Sequence, residues 1–417
     1  MINSEYHSNI ILKIYHDSES NKLALLKSRL DRSLYVAIID LTDQSTIILD
    51  IKNFFIDLPG KYFNAPFDLQ NNKSGAQIEA INAAYNKFEN LFTVQSLDFK
   101  IINSVHAFEV DFTNRQMLLE TEHVKYEIGK KYRTGAGNPG NDFYYLILDL
   151  DERVLFHEKF SPGKYGWAHA EIDYLRFLDP KTLIYWGGGS ASDKANILKL
   201  WKFASEEYTE IKLLDNDEML NDDELSYDYI HSCALHKKAR LIALAFATPE
   251  MPQYSIKILK LDSENDLEII FNYIYEDEHL VNIAFNPLGD EFSTLEYTNS
   301  EEYTAPNINI RTYSFKSHVP KNIVSTKINS NSDYVTEIVY YCSEVLCLIT
   351  WNKIFLYNIL TGDEIAILKK DKGLTYHISD RKLFYLVNEK LTIFTIEEGE
   401  FPQYSERDYK RFNFEDK

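Results

Sequence analysis

The clearest pattern in the chain runs from Tyr334 to Lys370. Four short apolar, β-branched and aromatic runs, YVTEIVYYC, SEVLCLITW, NKIFLYNIL and TGDEIAILKK, follow one another with polar breaks between them. Runs of this length at even spacing suit an antiparallel up-and-down sheet better than helices. The same pattern recurs along the chain. Ile10 to Ile51 reads as IILKIYH, KLALLKSR, SLYVAIIDL and TIILDI, with turns at Asp17–Asn21, Asp31–Arg32 and Thr42–Gln44. A second set begins near Val105 (VHAFEVDF, RQMLLETEHVKYEIGKKY, DFYYLILDLD, RVLFHEKF). A third spans Trp167 to Leu214 (EIDYLRFL, TLIYW, NILKLWKF, YTEIKLL). The fourth is YIHSCALH, RLIALAFAT, YSIKILKLD and LEIIFNYIY, and the fifth is LVNIAFNPLGDEFSTLEY, NINIRTYSF and NIVSTKI. The opening stretch is the sixth. The seventh has LTYHIS, KLFYLVN and EKLTIFTIE, and takes its fourth strand either from the polar tail SERDYKRFNFEDK or from the segment before Ile10.

A lone four-stranded sheet leaves both faces wet, so a row of them implies packing on one another. The predicted fold is all-β, a β-propeller of seven four-stranded blades, with six or eight as fallbacks, forming one domain over residues 1–417. Two β-sandwiches are the competing architecture. One segment breaks the pattern. Residues 53–97 hold a Pro/Gly/Asn stretch and then Ile78, Ile81, Ala84, Tyr85 and Phe88 at helical spacing behind Ser74, a fitting N-cap. This predicts a helical insertion between the first and second blades, as cover or as a partner-binding element.

The fifth and sixth sets resemble repeats of the WD40-like propeller family. LVNIAFNPLGDEFSTLEY resembles the first hairpin of such a blade, with its Pro-x-Gly turn. NKIFLYNILTGDEIAIL resembles the last two strands, with Thr361-Gly362 as the tight turn and Tyr357-Asn358 where that family has Trp-Asp. The resemblance implies a propeller and, by analogy, an interaction role.

Composition adds little to the fold and more to the partners. Of 417 residues 45% are hydrophobic and 14% aromatic, with 29 Tyr and 25 Phe, enough for a large sheet core. The formal net charge is −20. Such a chain repels phosphate backbones and gains nothing from counterion release, which argues against a nucleic-acid ligand; basic protein partners are electrostatically easier. The same charge also keeps a protein soluble without further role. Three cysteines, Cys233, Cys342 and Cys347, make an odd number without CxxC spacing, the pattern of free thiols. No apolar run approaches the ~20 residues that cross a bilayer, and the N-terminus lacks a signal-like pattern. The expected setting is cytoplasmic, with no membrane partner and a monomer favoured.

Candidate chemistry is sparse. Gly135-Ala-Gly137-Asn-Pro-Gly140 matches G-x-G-x-x-G, but a strand follows where a pyrophosphate site needs a helix, so it reads as a loop, as does Gly187-Gly-Gly189-Ser190. The acidic run Asp215–Asp228 lacks the EF-hand order and reads as a solvated loop. Six of the 11 histidines, His7, His106, His169, His231, His279 and His377, stand at or near the first strands of the sets, with Tyr334 in the sixth. Three explanations compete: a hydrogen bond within each blade, a polar-aromatic recognition surface, or imidazoles converging on a metal. The recognition surface would comprise Trp167, His169, Tyr229, His231, His279, Tyr334, Tyr376 and His377. His169, Glu171 and Asp173 alternate along one strand and are the weak candidates for acid/base work. His231, Cys233 and His236 sit close in sequence, with His231 and Cys233 expected on one strand face and a structural role favoured. No cofactor is implied. The reading is a non-enzymatic module that binds a protein partner through one propeller face. Its rivals are a propeller hydrolase or lyase with channel carboxylates or a His-bound metal, and an acidic antagonist of a basic partner such as a toxin.

Overall fold

The structure is a computed structural model that describes residues 10–29, 33–56, 100–123, 126–127, 130–131, 142–150, 154–160, 174–186, 197–202, 207–212, 229–247, 254–262, 267–275, 278–298, 307–326, 328, 334–371, 375–379, 381–387, 390–396 and 404–408. It divides into two compact units. The first is Met1–Trp167 with Thr375–His377 and Asp408–Lys417, and the second is Ala168–Leu374 with Ile378–Arg407. The predicted helix and both glycine-rich loops lie outside the described residues, as does the acidic run.

In the first unit, β1 (Ile10–Asp17), β2 (Lys22–Ser28), β3 (Ser33–Asp40) and β4 (Thr46–Ile56) form an antiparallel meander. The second blade is β5 (Lys100–Asp111), β6 (Gln116–His123), β9 (Asp142–Asp149) and β10 (Val154–Phe160). Beyond β6, two short strands, β7 (Tyr126–Glu127) and β8 (Lys130–Lys131), pair as a separate hairpin. One feature departs from the sequence reading. β4 runs on to Ile56, inside the segment expected to open the insertion, and Phe54–Ile56 pairs in parallel with Lys100–Ile102. The backbone groups at the two ends of the insertion thus satisfy one another, and blades one and two share an eight-stranded sheet.

The remaining five sheets are each four-stranded and in chain order, and lie in the second unit apart from Tyr376, His377 and Asp408 of the last, which belong to the first. They are β11 (Tyr174–Asp179), β12 (Thr182–Trp186), β13 (Ile197–Lys202) and β14 (Glu207–Lys212); β15 (Tyr229–His236), β16 (Leu241–Ala247), β17 (Tyr254–Leu261) and β18 (Leu267–Tyr275); β19 (Glu278–Phe285), β20 (Glu291–Thr298), β21 (Asn307–Ser314) and β22 (Asn322–Ser325); and β23 (Val335–Cys342), β24 (Val345–Thr350), β25 (Lys353–Asn358) and β26 (Glu364–Lys369). The seventh is β27 (Tyr376–Ser379), β28 (Lys382–Val387), β29 (Lys390–Ile396) and β30 (Tyr404–Asp408). Its outer strand therefore comes from the polar tail.

Burial explains the strand order. The second strands are the most deeply covered: every residue of β24 is buried, and all but the first of β2. A strand covered on both faces cannot alternate. The outer strand β26 has an exposed or half-buried residue at every position. The core lies between neighbouring sheets. Leu26, Val36 and Ile38 meet Val110, Met117 and Leu148 between blades one and two. Ile184 and Leu200 meet Leu244 and Phe246 between three and four. Leu295 and Ile310 meet Leu346 and Phe355 between five and six. First strands pack side by side: β1 with β5, β15 with β19, and β19 with β23.

Candidate functional site

A local motif repeats on the first strands. One unpaired residue bulges at Leu12, His106, His231, Val281 and Thr336. In four blades the bulge comes five residues before a turn-capping side chain. Asp17 Oδ2 accepts from the Ser20 amide (3.0 Å), Asp111 Oδ1 from Asn114 (2.9 Å), His236 Nδ1 from Ala239 (3.0 Å) and Asn286 Oδ1 from Gly289 (2.8 Å). Each turn then closes through a residue at positive φ: Asn21, Arg115, Arg240 and Gly289. The carbonyls of Asn21, Arg115 and Arg240 accept the Leu41, Leu150 and Leu261 amides at the ends of the third strands. Gly289 has a second reason to be glycine, since a Cβ there would lie 2.9 Å from the Ala239 Cβ.

This register re-sorts the histidines. His106 and His231 occupy the same bulge position, which in other blades is Leu12, Val281 or Thr336, while His279 lies two residues upstream of its bulge. The bulge also breaks the alternation from which His231 and Cys233 were expected to share a face: Ile230 pairs with Phe246 and Ser232 with Ala245. His7, Trp167, His169, Glu171 and Asp173 lie outside the described residues. Tyr229 starts β15, paired with Ala247.

Two of the described histidines, His377 and His236, make structural bonds. His377 Nε2 lies 3.0 Å from the His16 carbonyl, its ring 4.9 Å from that of Tyr15, and Thr375 Oγ1 donates to the Leu12 carbonyl (3.3 Å); all belong to the first unit. His236 accepts at Nδ1, so Nε2 carries the proton and donates to the Pro287 carbonyl at 3.0 Å. The same logic continues as a relay between first strands in the second unit. Ser232 Oγ donates to Asn282 Oδ1 (3.2 Å), Asn282 Nδ2 to the bulged Thr336 carbonyl (3.1 Å), and Thr336 Oγ1 to the Ile349 carbonyl (3.1 Å). Tyr341 donates to the Arg381 carbonyl and accepts from the Ile396 amide, tying blade six to blade seven.

Burial sets the chemistry of the thiols. Desolvation pushes Cys233 up to about 12 and Cys347 higher still, the opposite of what a nucleophile needs. Among the described residues, no three His, Cys, Asp or Glu side chains gather into a metal-binding group.

Exposed aromatic surface is concentrated at one end of blade six. Tyr334 is 61% exposed just before β23, and Trp351 is 53% exposed in the two-residue turn between β24 and β25. They are the only aromatic side chains among the large exposed apolar residues of the described chain. Val335 pairs with Thr350, so the two rings stand at the same end of neighbouring strands. Thr350 Oγ1 accepts from the Lys353 amide (3.0 Å) and closes the turn. Lys370, at the end of the outer strand, clamps it. Its amide donates to the Asn352 carbonyl (3.0 Å), and Nζ to the Trp351 carbonyl (3.1 Å). Burial lowers the Lys370 ammonium to about 8 against the opposing pull of Asp371. The sequence reading singled out Tyr334 and not Trp351 or Lys370; the signal for an exposed Trp351 was its place inside a two-residue polar turn, where neither strand can bury it.

Solved structures resemble this chain in fold at very low identity. KlAtg21, solved in complex with the coiled coil of AgAtg16, matches with a TM-score of 0.51 and 10% identity, over 96% of this chain and 99% of that one. The β-propeller domain of Myceliophteria thermophila Cps50 (Swd1) matches at 0.50 and 9%, over 94% and 100%. The fold is that of a WD40-like β-propeller. Hydrazine synthase of Kuenenia stuttgartiensis matches equally well, at 0.50 and 8% over 94% and 98%, so the fold does not choose between binding and catalysis. No family model matches the sequence, and no curated protein does.

Proposed function

We propose that this propeller is a non-enzymatic interaction module that binds a protein partner through the end of its sheets where the first strands begin. The observation that carries this reading is the Tyr334–Trp351 pair. Large aromatic side chains elsewhere in the described blades, such as Tyr313, Tyr357, Tyr385 and Phe292, are fully buried, whereas these two are held in water on rigid strand ends. Aromatic anchors on a rigid scaffold are what protein interfaces concentrate. The complex of KlAtg21 with a coiled coil gives a precedent on this fold. Three free cysteines suit a reducing, cytoplasmic setting.

The test is affinity capture from native lysate on the immobilised full chain, compared with a Tyr334→Ala/Trp351→Ala variant. A partner retained by the wild type and lost by the variant is expected. Equal retention by both would remove this end of blade six from the interface, and turnover of a substrate without any retained partner would replace the reading.

A further inference from the structure

Among the described residues, three lysines gather at this end of blade six, in a chain of net charge −20. Lys353, first residue of β25, is directly opposite Lys369, last residue of β26. Like charges facing each other across a sheet are unfavourable, and here they stand beside a third, Lys370, whose ammonium is committed to the Trp351 carbonyl. Asp371 is the acidic neighbour of Lys370. Lys369 is exposed, and Lys353 is half-buried with Nζ 5.7 Å from the centroid of the Phe355 ring. The described first-strand ends of the third- and fourth-strand pairs elsewhere put no such charges together: Ile197 faces Lys212, Tyr254 faces Tyr275, and Asn309 faces Ser325.

Resting on the interaction reading above, we infer that this sheet end binds an acidic peptide segment of a partner protein, with its carboxylates on Lys369 and Lys353 and an apolar residue against Trp351 and Tyr334. The geometry suits an extended segment. The sheet end is four strands wide, about 14 Å at the usual strand spacing, with aromatic rings on the first two strands and ammonium groups on the last two. An anionic membrane fits less well, because stable attraction to it calls for a larger basic cluster, and a strongly acidic body is repelled by an extended anionic plane but not by one short segment.

The experiment uses the full chain and a labelled synthetic peptide with glutamates on both sides of a phenylalanine, read by fluorescence anisotropy at low and high salt. A peptide with glutamine in place of each glutamate is the control. The acidic peptide is expected to bind, the glutamine peptide about tenfold more weakly, with salt eroding the difference. Lys369→Glu and Trp351→Ala are each expected to weaken binding about tenfold. Leu360→Ala, in the turn at the opposite end of the same blade, leaves it unchanged. Lys369 is exposed, so its variant reports on binding even if Trp351→Ala fails to fold. Equal binding of both peptides, binding unaffected by Lys369→Glu, or binding of phosphatidylserine vesicles without the peptide would each overturn the inference. A captured partner held alike by wild type and Lys369→Glu would remove this site and leave the interaction reading standing. Retention of neither partner nor peptide would remove both.

Discussion

Glu296 is fully buried on β20, where Thr294 Oγ1 donates to one carboxylate oxygen (2.6 Å) and Arg311 Nε stands 3.1 Å from the other. A buried pair of this kind contributes little over an apolar pair, but removing one partner strands a charge. Arg311→Met should therefore destabilise the chain by about 3 kcal/mol, and Glu296→Leu combined with it should recover most of the loss, measured by urea denaturation. The titrating groups make a second prediction. Cys233 and Cys347 hold their protons above the ordinary thiol value of 9.0, so the unfolded chain ionises first. Their contribution is intact below pH 9 and falls away above it, by up to about 1.4 kcal/mol per thiol per pH unit. Tyr340 and Tyr341, raised from 10.0 to about 12 by burial, add to the fall above pH 10. Lys370 works the other way. Its folded value of about 8 lies below the ordinary 10.5, so stability rises between those two values as the unfolded chain keeps its proton longer. Two thiols outweigh one lysine above pH 9. Stability should hold or rise slightly from pH 8 to 9 and then decline, increasingly steeply past pH 10. Cys347→Ala should flatten the decline between pH 9 and 10; an unchanged slope would mean that the thiol titrates as freely folded as unfolded.

At the scale of the element, the first strands help to join the blades, because the bulges at Leu12 and Thr336 each present a carbonyl to a donor from the neighbouring blade. Asn282 sits at the centre of this scheme. It accepts from Ser232 and from the Ile283 amide and donates to the Thr336 carbonyl. Asn282→Asp keeps the acceptor and sets a carboxylate against a carbonyl, so it should cost about 1–3 kcal/mol, whereas Ser232→Ala should cost about 1. Equal losses from the two, measured in parallel denaturation curves, would mean that the Thr336 bond contributes nothing. None of this was legible in the sequence. The apolar runs gave the strands to within a few residues, because β2, β16 and β24 are buried on both faces and leave no ambiguity. A bulge shifts the register by one residue without changing composition, so lining up histidines at the starts of strands mixed two structural levels. The turns were more readable. Gly289 and Gly362, both at positive φ, stand where the Pro-x-Gly and Thr-Gly patterns put them. Asn358 takes the place of the usual Asp by accepting from the Leu360 and Thr361 amides, as an aspartate would. The lysine pair could not be seen at all, since Lys353 and Lys369 meet only once the β25–β26 register is known.

At the scale of the whole chain, the limit of legibility was the outer strand. Outer strands touch the core least, so β22 has one buried residue and β30, YSERD, contains no aliphatic residue. Periodicity cannot find such a segment, and the sequence pattern allows either end of the chain to supply it. The tail does, which gives β30 a definite task. It covers the backbone edge of β29, an apolar strand in which Leu391, Ile393 and Phe394 are buried. An uncovered apolar edge is a template for pairing with another chain. Exposed isoleucines on the other outer strands, Ile269 and Ile274 on β18, Ile323 on β22 and Ile367 on β26, show how little apolar surface separates these edges from solvent. Ending the chain at residue 400 removes β30 but leaves every core cluster between blades one to six intact. The shortened protein should keep most of its far-ultraviolet sheet signal, melt several degrees lower and scatter light strongly as it aggregates through β29. Adding a peptide spanning residues 401–417 should restore the melting temperature and suppress the scattering, because the edge accepts the same strand whether or not it is tethered, at the cost of a weaker effective concentration. Truncation without aggregation would mean that β29 is shielded by something other than the tail. Aggregation that the peptide fails to reverse would mean that the tail acts before the blade is complete, during folding, and not by covering its finished edge.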